Sequence, residues 1–269
     1  MGDSGAGAAG LVAPDRAAGR IQVEHIMGTA ISLDLRGPAI PSAAVDAAFD
    51  HLRAVDARFS PYVEGSEISR LGRAEIALED CSDDVQIVLA RCEELRGLSN
   101  GFFDVRGHRP DGRVDPSGYV KGWAVEAAAA ILDAAGATSY CLNAGGDVIA
   151  RGEPEPGRPW RVGIRHPELA DRVAVVVEAR DLAVATSAGY ERPRHIVDPH
   201  RGRPPEGILS ITVVGPSLAS ADAYATAAFA MGPGGLAWLA DRAGYEALAI
   251  SADRRVTWTR GFERYRTRA

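Results

Sequence analysis

The sequence predicts an α+β fold, a single compact domain in which helices pack against an antiparallel or mixed sheet. Two patterns support this. Apolar residues recur at helical spacing through the first half, whereas the second half reads as short strands joined by Gly- and Pro-rich turns. No regular β-α-β series links them. The composition agrees: 269 residues, 46% hydrophobic and 25% charged, suffice for a sizeable core and exclude disorder of the whole chain.

Taken in order, residues 1–20 are rich in Ala and Gly and read as a disordered tail before a domain spanning 21–269. Residues 21–27 and 29–35 alternate as strands, with Gly28 between them. Ser42 is placed as an N-cap, followed by Val45, Phe49, Leu52 and Val55 on one helical face. A second helix over 83–96 buries Val85, Val88, Leu89, Cys92 and Leu95, and Gly97 marks its exit. A third, over 117–135, stops at Gly136 with Val120, Trp123, Ala124, Ala127 and Ile131 inward. Strands follow at 140–142, 147–151, 161–165, 173–179, 182–186 and 210–214. Helices at 221–231 and 235–243 precede a closing hairpin, 247–251 with 256–259.

The net charge of −6 argues against a general electrostatic grip on nucleic acid or anionic membrane. No stretch reaches the ~20 continuous apolar residues of a membrane span. Cys81, Cys92 and Cys141 are odd in number and lack metal-type spacing, which suggests a reducing compartment. The first residues carry neither a basic nor an apolar leader region, so a cytoplasmic protein is expected.

Of the 30 basic residues only Lys121 is lysine. An arginine-biased composition explains the imbalance, and so does a need for a compact point charge at this one place. Gly118 and Lys121 lie at the start of the third helix, where backbone N–H groups attract phosphate. The spacing is not that of a P-loop. Asp222 and Thr226 are four apart on one helical face, with Ser220 as the cap. A carboxylate beside a hydroxyl suits a hard cation such as Mg²⁺, and equally describes an acid complementing a helix dipole. Gly145-Gly146-Asp147 reads as a tight hairpin turn. His195 and Asp198 sit in a polar loop suited to holding a pyrophosphate or a nucleophile, or to a structural role. Tyr62, Phe102 and Phe103 offer rings for stacking or for the core.

In chain order, Met27-Gly28-Thr29, FSPYVEGSEISRL, SNGFFD, VDPSGYVKGWAVEAAAAIL, NAGGDVIARG, WRVGI, ATSAGYERPRHIVDP and ADAYATAAFAMG resemble the FAD:protein FMN transferase (ApbE-type flavin transferase) family. The resemblance implies a T-fold-like architecture. It implies a Mg²⁺-dependent enzyme that transfers the FMN half of FAD to a threonine of a target flavoprotein, in a Ser/Thr-Gly-Ala-Ser/Thr type motif, releasing AMP. By resemblance, Asp222 and Thr226 are side-chain metal ligands, and Gly118 and Ala225 give backbone carbonyls. Met27, Tyr62, Phe102, Phe103, Asp104, Asp115 and Lys121 contact FAD, with His195 and Ile196 beside the flavin nucleotide. His195 or a nearby carboxylate accepts the threonine proton. The chain departs from the family at Pro116-Ser117 and at Arg201, and it has no lipobox cysteine. A Mg²⁺-dependent FAD pyrophosphatase and a non-enzymatic FAD-binding protein are the alternative readings.

Overall fold

A computed structural model describes residues 19–106, 113–169, 171–189 and 196–267. Strands β1 (Arg20–Ile26) and β2 (Thr29–Arg36) form the first hairpin, so Arg20 belongs to the sheet and not to the tail that composition suggests. The hairpin turns on Met27 and Gly28, at φ of 56° and 70°. Two left-handed residues match the right-handed twist of the flanking strands. The helices α1 (Ser42–Phe59), α2 (Glu67–Gly72), α3 (Asp83–Leu98) and α4 (Ser117–Ala134) follow. Then come β3 (Ser139–Ala144), β4 (Asp147–Arg151), β5 (Trp160–Arg165), β6 (Val173–Ala179), β7 (Leu182–Ala188) and β8 (Ile208–Gly215). The chain continues through α5 (Leu218–Ala230), α6 (Gly235–Ala240), β9 (Glu246–Ser251) and β10 (Val256–Trp258).

Eight strands form one antiparallel sheet in the order β1-β2-β3-β4-β7-β8-β9-β10. Hydrogen-bonded neighbours are therefore successive in the chain, apart from the excursions. α1 to α4 leave and return between β2 and β3, and α5 with α6 between β8 and β9. One face of the sheet carries the helices. Its core gathers Leu33, Leu142, Ile149 and Ile211 with Phe49, Leu52, Val125 and Leu132. The opposite face is covered by the β5–β6 hairpin and the turn carrying Phe262, over Cys141, Val148, Val184 and Leu248. β3 and β7 are buried at every position, which is why they read as apolar runs rather than as alternating strands.

α4 and α5 are held together by specific contacts. Glu126 on α4 accepts from the Ser217 hydroxyl at 2.8 Å and the Ala219 N–H at 3.0 Å, satisfying donors at the start of α5. A Cβ on Gly122 would lie 2.6 Å from the Leu218 carbonyl oxygen, so only glycine permits this approach.

The structure corrects four local expectations. Ser42 is the first helical residue and Pro41 the cap, with no side-chain bond. Ser217, not Ser220, caps α5, its hydroxyl accepting from the Ser220 N–H at 3.3 Å. Asp222 therefore lies beyond the first turn. α4 is wedged between α1, α5 and the sheet, so its fully buried side includes Val125, Ala128 and Leu132, while Trp123, Ala127 and Ile131 are only partly covered. α2 has no counterpart in the sequence reading; it is short, and Ser66 caps it at 3.0 Å.

Candidate active site

A cleft of about 800 Å³ opens where α4, α5, the turn between β3 and β4, and the end of β7 converge. That volume is within the usual range for small-molecule and cofactor sites. Met27, Tyr62, Phe102, Phe103, Asp104, Asp115, Gly118, Lys121, Ile196, Asp222 and Thr226 all line it, although they are spread over much of the chain. Ala225 is buried in α5 and does not line the cleft. His195 lies outside the described residues.

The cleft's oxygen donors are held from below. Asp222 is 5% exposed, and its Oδ2 accepts from the Gly122 N–H at 3.1 Å. In an uninterrupted α-helix that N–H points to the carbonyl four residues back, that of Gly118. Asp222 thus competes for the donor that Gly118 would otherwise use. One turn along α5, the Thr226 hydroxyl lies 3.4 Å from the Ser187 hydroxyl. A Cβ on Gly118 would sit 3.1 Å from Thr226 Oγ1, so the glycine keeps open the space beside that oxygen. Among the described residues no three His, Cys, Asp or Glu side chains group as a metal cluster. Around this point the oxygen donors are the Asp222 carboxylate and the Thr226 and Ser187 hydroxyls. They fit a hard, oxygen-preferring cation such as Mg²⁺, which retains waters and shares ligands with substrate phosphates.

Lys121 Nζ is 2.7 Å from Asp147 Oδ2. Asp147 is 1% exposed, and its other oxygen accepts from the Thr186 N–H at 3.1 Å. The Gly145-Gly146-Asp147 stretch is the hairpin expected, joining β3 to β4. It is also part of the site's support, which the sequence reading missed. The available signal was an acid opening an otherwise apolar strand, Asp147-Val148-Ile149-Ala150. Asp56 and Ser187 were missed too. Asp56 accepts from the Met27 N–H at 3.0 Å and so fixes the β1–β2 turn at the cleft wall.

The rings differ in availability. Tyr62 is 77% exposed at the cleft mouth. Phe102 packs edge-on against His200, with centroids 4.6 Å apart, while His200 Nε2 lies 2.9 Å from the Asn100 carbonyl. Phe103 is buried beneath Gly118, its N–H bonded to Ser99 Oγ at 2.9 Å; it shapes the wall and leaves little face for stacking. Asp115 accepts from the Ser117 N–H at 3.1 Å, shaping the entry into α4.

The profile of the ApbE family matches residues 27–107 and 105–249. A Vibrio cholerae protein named FAD:protein FMN transferase is 36% identical over 46% of this chain and 40% of its own length. A Rhodobacter capsulatus protein of the same name is 37% identical over 52% of this chain and 28% of its own. The aligned stretch is thus less than half the length of these curated relatives. The solved structure described as flavin transferase ApbE from Vibrio cholerae superimposes with a TM-score of 0.82 at 25% identity, covering 93% of this chain and all of that one. The fold, the matched segments and the cleft they line lead to one assignment: the chain belongs to the ApbE family.

Proposed function

We propose that this chain transfers the FMN half of FAD to a threonine hydroxyl of a partner flavoprotein and releases AMP. The observation that carries the reading is the convergence of Lys121, Asp222 and Thr226 on one cleft large enough for a dinucleotide. The name borne by the Vibrio cholerae and Rhodobacter capsulatus relatives supports it.

In this reading Asp222, Thr226 and the Gly118 carbonyl would hold Mg²⁺, with the Ala225 carbonyl as the family resemblance suggests. When bound, the ion supplies positive charge that offsets the pyrophosphate and the charge developing on the leaving phosphate. The chain's own residues do the rest. Lys121 places a compact cation at the cleft floor, where a pyrophosphate oxygen can accept from it. Tyr62 and Phe102 flank the mouth and wall where a planar ring system would lie. The threonine oxygen forms a bond to the FMN phosphorus, the bond from that phosphorus to the bridging oxygen breaks, and AMP departs with that oxygen. The hydroxyl proton passes to a base, for which His195 and the cleft carboxylates are the candidates.

The test is incubation of the purified protein with FAD, Mg²⁺ and a carrier protein bearing a Ser-Gly-Ala-Thr segment. The expected result is a covalent FMN adduct by mass spectrometry, with AMP in equal amount. FMN and AMP without an adduct would instead establish a pyrophosphatase. FAD that is bound but intact would establish a carrier.

A further inference from the structure

The least accessible charged group beside the cleft is Asp147, which does not itself line it. Its backbone is fixed as the first residue of β4, paired with Ala144 across the hairpin. Its Oδ1 is occupied by the Thr186 N–H of β7. The carboxylate therefore cannot swing, and its remaining oxygen, Oδ2, faces the Lys121 ammonium at 2.7 Å. Lys121, by contrast, is 27% exposed and carries its charge on a flexible four-carbon stem. A rigid, buried anion thus anchors a partly exposed, cleft-lining cation.

We propose that Asp147 is a positioning residue for the transfer reaction: it holds the Lys121 ammonium at one point of the cleft floor and offsets its charge until substrate arrives. The proposal rests on the transferase reading above. Its physical content is a division of effects. A lysine released from this carboxylate adds net positive charge to a site that accepts an anionic pyrophosphate, so the ground state is attracted at least as strongly. The same lysine no longer sits where charge develops in the transition state, so the reaction slows. A carboxylate serving only to hold the local structure together would show a different pattern, with affinity, rate and fold declining together.

Asp147→Asn is the informative variant, because the amide oxygen can still accept from the Thr186 N–H while the negative charge is lost. Wild type, Asp147→Asn, Lys121→Gln and the double variant are compared for FAD affinity by flavin fluorescence, for kcat in adduct formation at saturating Mg²⁺, and by thermal melting. For Asp147→Asn the expected result is an FAD Kd equal to or below that of wild type, with kcat lowered about ten- to a hundredfold, the scale of a misplaced catalytic group. In the Lys121→Gln background the same change should alter kcat by less than about twofold, since both substitutions remove one interaction. The proposal is overturned if kcat of Asp147→Asn matches wild type, if FAD affinity falls in step with kcat, or if its cost is equal in both backgrounds. A wild-type protein that binds FAD but forms no adduct overturns the transferase reading itself, and this proposal with it.

Discussion

The two halves of the large sheet follow one plan and are used differently. In each, two strands lead into a helical excursion and two strands lead out: β1-β2 to β3-β4, and β7-β8 to β9-β10. The first excursion runs through four helices and supplies the cleft's aromatic walls, its lysine and its close-packing glycines. The second has two helices and supplies a carboxylate and a hydroxyl from a single face of α5. Where they meet, α4 provides space and α5 provides oxygen. Substitutions on α5 should therefore act on chemistry first, whereas those on the glycines of α4 should act on spacing first.

Asp222→Ala is expected to have the largest effect, abolishing adduct formation. It also tests whether chemistry and packing separate cleanly on α5, because Asp222 partners the Gly122 N–H. Losing that charge-assisted bond costs up to about 1.5–3 kcal/mol, offset in part as the Gly122 N–H returns to the Gly118 carbonyl. A lowered melting temperature should accompany the lost activity. An Asp222→Ala protein with wild-type turnover at limiting Mg²⁺ would remove the metal assignment.

Lys121 comes next. Loss of one charge-assisted hydrogen bond costs about 1.5–3 kcal/mol, roughly ten- to a hundredfold in kcat/KM for FAD. Lys121→Ala should show that full loss. Lys121→Arg keeps the charge but spreads it over a planar fork that the 2.7 Å approach to Asp147 was not built for, and should fall between. If both variants match wild type, the single lysine of this chain reflects only its arginine-rich composition.

Gly122→Ala probes spacing directly. The added methyl would meet the Leu218 carbonyl oxygen at 2.6 Å and Ala219 Cα at 2.9 Å, both backbone atoms of α5. Forcing the helices apart should cost about 1–3 kcal/mol in a denaturant melt. The matched control is Gly97→Ala on α3, whose Cβ would meet nothing within 4 Å. There the change should be neutral or stabilising by up to about 1 kcal/mol, the helix preference of alanine over glycine. Equal destabilisation at both glycines would mean that α4 and α5 are not limited by backbone contact.

The sequence made the elements legible where period and punctuation agreed. α3, β4 and β6 fall within two residues of the expected bounds because turn residues flank them. Gly118, Lys121, Asp222, Thr226 and the three rings could be singled out by type and spacing, each with a structural alternative; that they share one cleft was legible only through resemblance, since eleven lining residues come from segments that no local pattern connects. Caps were misplaced because Ser217 and Ser220 are equally good cap residues by type, and only the Glu126 contact from α4 decides between them. The role of Asp147 was invisible for a similar reason. Its partners, Lys121 and Thr186, lie 26 and 39 residues away in the chain, and a Gly-Gly-Asp turn is fully explained by hairpin geometry.

The smallest expected effect belongs to Thr226→Ala, and it sharpens the contrast within α5. Asp222 offers a charged oxygen, Thr226 a neutral one. A neutral donor facing a solvent-reachable cleft can be replaced by water, so the ion would lose one protein ligand and keep its coordination number. The Ser187 hydroxyl, 3.4 Å away, remains in place to orient that water. Gly118 keeps the position open, since no side chain there fills the space beside residue 226. The fold should hold, because the change deletes only a hydroxyl and a methyl beside the cleft, and the Ser187 hydroxyl it leaves behind also lines the cleft, where water can reach it. The expectation is a higher Mg²⁺ requirement for adduct formation with a maximal rate that recovers at high Mg²⁺, and an FAD affinity unchanged in the ion's absence. A rate that stays low at saturating Mg²⁺ would place the Thr226 hydroxyl in the chemical step instead, and the division between charge and space drawn across α4 and α5 would need a third term.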